Sequence, residues 1–348
     1  MSMLALSAIT AGLALVLALV VGRYAQAIGD TLRLLDFPDT DGGRKRHNEV
    51  TPLVGGLAVA GAVIGSALLT MAFTPEPVPA VHLGWLAATV AVMFLIGVAD
   101  DRFHLSPKLR LAVAITMLLL VVSFAPDFSL AFVRFAGWEN VWLLGSWGDG
   151  FSLLCLVGLL NAVNMADGKN GIVIGMGIIW TLVLASHMPA VMLPVLAGVG
   201  AALVVLGMFN MAGKLFLGDG GSYAISALFG LLAIYIYNHD FETMRADDVA
   251  VMFAIPVFDT IRLMIVRMAQ LRSPFEGDRD HFHHHLHARI GWPRGLWVYL
   301  ALVALPNAGA VAWPGTGLAW LVVSLVGYTG VLLATRFPGA AGRQRPAE

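Results

Sequence analysis

The amino-acid sequence predicts an all-α, polytopic integral membrane protein of about eleven transmembrane helices, with its N-terminus outside and its C-terminus in the cytoplasm. Three observations carry this. Of the 348 residues, 58% are hydrophobic and only 12% charged, against roughly 25% charged in a soluble domain. Apolar runs recur at the length of about 20 residues that a helix needs to cross the hydrocarbon core. Lysine and arginine are confined to alternate connections between those runs, the bias that sets orientation in a membrane.

The first run, near 3–22, follows a start without lysine or arginine. A secretory signal needs a basic leader and a small-residue cleavage site, so this segment is read as a retained span. The others lie near 52–73, 82–99, 109–125, 150–166, 171–187, 190–210, 222–238, 248–268, 296–313 and 318–335. The third ends in Asp100 and Asp101. The fifth holds the single cysteine, Cys155, and ends in Asn161, Asn164 and Asp167. Asp219 follows the seventh in FLGDGGS, and the ninth contains Asp259 with Arg262 three residues on, a spacing at which helical side chains pair. Glycine and proline inside the runs are tolerable because neighbouring helices satisfy the freed backbone. A lone cysteine leaves no disulfide to form. The expected organisation is a single transmembrane catalytic domain, residues 1–335, with a short basic cytoplasmic tail, 336–348.

Connections 23–51, 100–110, 167–170, 211–219, 262–295 and the tail hold 19 of the 21 basic residues; only Arg134 and Arg245 fall elsewhere. The first set is therefore cytoplasmic. Merging or splitting one span would scramble this partition, which supports an odd count.

Asp100–Asp101, the Asn161–Asp167 segment, Asp219 and the histidines of DHFHHHLH (280–287) all map to that inner face. Each alone has a plain reading. An aspartate pair at a span end is ordinarily a solvated boundary, the reading given to the outer, replaceable pair Asp247–Asp248. Asn, Asp and Gly together are turn chemistry, and a histidine run suits a metal site, a phosphate clamp or a bare loop. Their convergence on one face of a chain that avoids charge points to phosphate chemistry. Carboxylates repel phosphate unless a hard cation lies between, and Mg²⁺ takes one or two carboxylates plus water and substrate phosphate. Histidine and arginine add charge-assisted donors to a diphosphate. The glycines around Asp219 allow close backbone approach, and the following helix start favours an anion. With no P-loop and no dinucleotide fingerprint, a nucleotide would be held in another way.

At RKRH (Arg44 to His47), TPLVGG (Thr51 to Gly56), GVADDRFHLSPKL, NAVNMADG, FLGDGGS, IPVFDT and DRDHFHHHL the sequence resembles the bacterial polyprenyl-phosphate N-acetylhexosamine-1-phosphate transferases, over nearly the whole chain. The nearest branch looks like the undecaprenyl-phosphate N-acetylglucosamine-1-phosphate transferases that start O-antigen, enterobacterial common antigen and teichoic acid linkage units. The resemblance implies that Asp100 and Asp101 engage the lipid phosphate, with Lys108 and Arg102 nearby to hold the anion. Asp100 is the candidate to accept the acceptor's proton or to position it. Asp219 would be the principal Mg²⁺ ligand, with Mn²⁺ an accepted substitute. Asp167, Asn161 and Asn164 match the nucleotide-side loop, Phe216 the aromatic residue against uracil, and His281, His283 and His284 the element near the diphosphate. One departure stands out: the family's DG-x-DG reads DG-K-NG here, so Asn170 replaces an acid and its charge is lost.

The implied reaction transfers a HexNAc-1-phosphate, taken as GlcNAc-1-phosphate, from a UDP-HexNAc to undecaprenyl phosphate with release of UMP. It would take place on the cytoplasmic face of the bacterial inner membrane, among membrane lipid, without nucleic acid and with a homodimer as an admissible assembly. The 276–290 loop and Asn170 would read the sugar. Within the family the alternatives are a 6-deoxy HexNAc or a muramoyl-pentapeptide donor; the second is disfavoured by three acids, Glu276, Asp278 and Asp280, on its approach path. From other classes come a transporter, which would place polar residues near the midplane of both halves of a repeat, and a membrane zinc hydrolase, which would want about three ligands in tetrahedral array.

Overall fold

A computed structural model describes residues 1–38, 49–74, 77–273 and 280–336. The RKRH motif at 44–47, the acids Glu276 and Asp278, and the tail beyond Arg336 lie outside them. The helices are α1 (Met3–Arg23), α2 (Ala25–Leu32), α3 (Gly55–Phe73), α4 (Pro77–Phe103), α5 (Pro107–Phe124), α6 (Gly148–Ala166), α7 (Ile172–Ala185), α8 (Leu193–Met211), α9 (Gly218–His239), α10 (Ala246–Ala269), α11 (Phe282–Ile290), α12 (Arg294–Ala312) and α13 (Gly317–Thr335). Every apolar run of the sequence is a helix. Ten of them, among the described residues, are long and apolar enough to cross a membrane, as expected of a multi-pass membrane protein.

The sixth expected span is shorter than the others. α7 has 14 residues, about 21 Å at 1.5 Å per residue. It runs back along α8: Gly171, just before it, donates its N–H to Asn210 Oδ1 near the end of α8 at 2.7 Å, and the two helices are joined at the opposite end. Trp180 fixes its middle, donating Nε1–H to the Met252 carbonyl of α10 at 2.7 Å.

α9 is the centre. From Gly220 to Tyr237 all its residues are buried, and it packs against α3, α4, α6 and α7. A helix hydrophobic all round belongs in such a position. Around it, α1 packs on α3 and α8, and α10 on α6, α12 and α13. Pro256 and Pro306 sit inside α10 and α12 without ending them.

A two-residue antiparallel ladder, β1 (Leu35–Asp36) with β2 (Thr51–Pro52), closes one end. Pro52 accepts the Phe216 N–H at 2.8 Å, and Phe216 and Leu217 accept from Gly55 and Gly56 at 3.0 and 2.9 Å. The TPLVGG segment thus works as a clamp on the stretch leading to Asp219.

At the far end the reading of Asp247–Asp248 as a solvated boundary is corrected. Asp247 is 0% exposed because the 132–147 hairpin folds over the start of α10 and its Ala136 donates N–H to Asp247 Oδ1 at 2.9 Å. Asp248 accepts the Arg245 N–H at 2.9 Å and so caps the helix. An Asp247→Ala variant should therefore melt lower, by about 1–3 kcal/mol for the orphaned donor, while its folded fraction turns over at the wild-type rate. Thermal unfolding in detergent and activity per folded molecule separate the two.

Candidate active site

The site forms where α4 and α6 end and α5 and α9 begin. Carboxylates at a helix C-terminus oppose the helix dipole, so Asp100 and Asp101, in the last turn of α4, need compensation from elsewhere. Asp101 finds it on α9, whose start has no side-chain cap of its own. Its two oxygens accept the N–H groups of Asp219 and Gly220 at 3.1 and 3.3 Å. The anion favoured at this helix start is thus an aspartate of the chain. Asp100, 6% exposed, pairs with Arg110 Nη1 of α5, whose same nitrogen stands 3.6 Å from Asp219 Oδ2. Asn164 on α6 donates through Nδ2 to Asp219 Oδ1 at 2.8 Å and to Ser222 Oγ at 3.1 Å.

This close assembly depends on glycine at two points. A Cβ on Gly97 of α4 would lie 2.4 Å from the Asp219 carbonyl carbon, so α4 and α9 touch backbone to backbone. Gly218 has φ +75, a left-handed conformation open to glycine, and a Cβ there would meet Asp101 Oδ2 at 2.7 Å.

Asp167 ends α6, half-buried, and burial followed by the nearby charge of Asp101 pushes its carboxyl up to about 7. Gly168 packs on His283, where an added Cβ would stand 2.2 Å from Nε2. His283 is 2% exposed; burial, then the neighbouring His284 and His281, hold it well below the ordinary imidazole value. The rings of His281 and His283 stack at 5.4 Å, and those of His283 and His284 lie at 4.3 Å. Through Gly168, then, the histidine element abuts the same turn that presents Asp167.

Other expected site residues are placed differently. Asn161 donates to Val157 of its own helix at 2.8 Å. Asn170 donates to the Asn210 carbonyl at 2.8 Å and accepts Trp292 Nε1–H on its carbonyl at 3.1 Å, bracing α7, α8 and the start of α12. Lys108 is exposed on the first turn of α5; the cation among the carboxylates is Arg110. Phe216 is half-buried, its backbone held by the TPLVGG clamp. Asp280 is not a free negative charge: it pairs with Arg262 at 2.9 Å and His285 at 2.8 Å. Despite its burial, these partners hold it down to about 2, and its charge is offset where it stands.

Arg110 is the residue that sequence reasoning passed over. It lies across the corner between two helices, where no helical period relates it to Asp100. The available signal was local: Ser106 caps α5 and Pro107 begins it, which puts Arg110 on the first turn, facing back over the site.

The donor set suits a hard divalent cation. Asp100 and Asp219 both face the Arg110 guanidinium, while the two oxygens of Asp101 accept the N–H groups that begin α9. Among the described residues no group of three or more His, Cys, Asp or Glu side chains is placed to hold a metal ion. Mg²⁺ needs none, since it keeps its waters and shares substrate phosphates with one or two carboxylates.

Residues 83–237 match the family model described as glycosyl transferase family 4. The undecaprenyl-phosphate alpha-N-acetylglucosaminyl 1-phosphate transferase of Escherichia coli (strain K12) is 29% identical over 311 residues, 83% of this chain and 79% of that one. Its namesake from Yersinia pestis is 30% identical over 298 residues, 80% and 76% of the two chains. A probable undecaprenyl-phosphate N-acetylglucosaminyl 1-phosphate transferase of Bacillus subtilis (strain 168) is 26% identical over 283 residues, 79% and 74%.

Proposed function

We propose, for a chain that belongs to glycosyl transferase family 4 and is a glycosyl-1-phosphate transferase, the transfer of N-acetylglucosamine 1-phosphate from UDP-N-acetylglucosamine to undecaprenyl phosphate. An oxygen of the lipid phosphate attacks the sugar-bearing phosphorus; the bond from that phosphorus to the bridging oxygen breaks, and UMP leaves. The product is a lipid-linked diphosphate that begins a cell-surface glycan. The observation that carries the reading is the joining of Asp100, Asp101, Asp219 and Arg110 at one end of an apolar bundle. The names of the relatives supply the substrate class.

In this reading Asp219 holds Mg²⁺, with Asp100 in reach, and the ion when bound neutralises phosphoryl oxygens and orients an in-line displacement. Asp101 keeps Asp219 in register through its backbone N–H, and Asn164 fixes which oxygen of Asp219 faces the substrate. Arg110 offers a fork of donors to a phosphate oxygen. His281, His283 and His284 contact the donor diphosphate from the Asp167–Gly168 side. An anionic lipid phosphate is already nucleophilic near neutral pH, so Asp100 serves to place it.

Orientation follows from the charges: 19 of the 21 basic residues fall in the set of alternate connections that also carries the site residues. Of the two exceptions, Arg134 is paired at the far end, with Glu242 at 2.6 Å. The site end is thus cytoplasmic in the inner membrane.

The test is release of UMP by purified protein with undecaprenyl phosphate and a panel of donors: UDP-N-acetylglucosamine, its galacto epimer, a 6-deoxy analogue and the muramoyl-pentapeptide nucleotide. Highest kcat/KM with UDP-N-acetylglucosamine is expected. Preference for the muramoyl-pentapeptide donor would overturn the sugar and leave the chemistry standing.

A further inference from the structure

Asp259 lies in α10, away from the carboxylate cluster and 6% exposed. A buried carboxylate is costly unless fully hydrogen-bonded, and this one is. Oδ1 accepts from Arg262 Nη2 and from the Tyr328 hydroxyl, each at 2.9 Å. The Phe282 N–H stands 3.2 Å from both oxygens, and His281 Nδ1 stands 3.3 Å from Oδ2. Arg262 also reaches Asp280 Oδ2 at 2.9 Å, and Asp280 Oδ1 takes His285 Nε2 at 2.8 Å. One buried ion-pair network therefore grips the histidine element on both sides of His281.

We infer that Asp259 is a positioning residue for His281. A carboxylate ringed by donors is acceptor only, so the hydrogen between it and His281 is on Nδ1. The ring is thereby fixed with its Nε2 edge left for a ligand, as a metal-binding or catalytic histidine is held by an acidic partner on its other nitrogen. Asp259 also receives the first N–H of α11, whose capping position, His281, makes no side-chain cap of its own. Orientation of the ring and placement of the helix that carries it thus come from a single side chain on another helix.

This rests on the reading that His281 contacts the donor diphosphate, and a double-mutant cycle in full-length protein tests the two separately. Asn at 259 keeps one carbonyl oxygen for the Phe282 N–H but loses the second acceptor and the charge that face His281. Asp259→Asn and His281→Ala should each lower kcat/KM by about 10–100-fold, the range for losing an acidic partner behind a ligating histidine. The double variant should fall no further than His281→Ala, within about twofold. Losses that multiply would overturn the inference, because a general structural role would still act through His283 and His284. Wild-type kcat/KM in His281→Ala would instead overturn the diphosphate reading, and the positioning role with it. Should Asp259→Asn fail to fold, Tyr328→Phe removes a single donor from Oδ1 and completes the same cycle, with an expected loss of about fivefold that vanishes in the His281→Ala background.

Discussion

Replacing Asp219 by Asn is expected to leave an inserted, folded protein whose turnover has fallen by about 10³-fold, the scale of losing a principal electrostatic contact to the transition state. The variant is chosen for what it keeps. Its backbone N–H still reaches Asp101, and one carbonyl oxygen can still accept from Asn164. What disappears is the anionic oxygen nearest Arg110, the one proposed to face a divalent cation. Raising Mg²⁺ or Mn²⁺ should recover little activity, since the deficit is in the ligand. Retention of wild-type metal dependence in UMP release would remove Asp219 from the metal role.

Replacing Arg110 by Met should be nearly as damaging, at about 10²-fold in kcat/KM, and should also lower stability. The guanidinium contacts both Asp100 and Asp219, so its removal sets two carboxylates against each other with little water to screen them. Breaking a fully buried pair costs about 3–5 kcal/mol. Here the arginine is a quarter exposed, and about 2 kcal/mol is the expectation after solvent screening. Arg110→Lys restores the charge without the planar fork; it should recover the melting temperature while remaining short in kcat/KM. Recovery of both by lysine would show that Arg110 balances charge and does not guide phosphate.

Much of this was readable in one dimension. Hydropathy is a property of segments, so every apolar run became a helix, and the acids at span ends became the acids of the site. What was not readable is pairing across helices. The sequence brought Asp101 to the site, but not its acceptance of the two N–H groups that begin α9. Arg110 was counted among the basic residues of a loop, and its contact with Asp100 is made by a turn of chain that no periodicity describes. Asp259 was seen to have Arg262 at i+3, which holds, but its partners His281 and Tyr328 lie 22 and 69 residues away. Asp247 looked like a membrane-edge carboxylate because the hairpin that covers it carries no pattern linking it to α10. α7 looked longer because Gly171, Ser186 and His187 were counted in its run and are turn, not helix.

Local opening should divide the site in two. α9 has no face toward lipid or water along its apolar length, so its amide hydrogens can exchange only when the whole bundle comes apart, at the upper end of the free-energy scale for opening. Asp219 stands on the first turn of that helix and inherits its stillness. The histidines stand on or beside α11, nine residues long, against α12 and α13, held by an ion-pair network and two buried apolar side chains, Phe282 and Leu286. Isotope exchange should therefore reach α11 well before α9. In the proposed reaction, the donor is then admitted and its product let go by movement on the histidine side, while the carboxylates on α4 and α9 keep their places through every turnover.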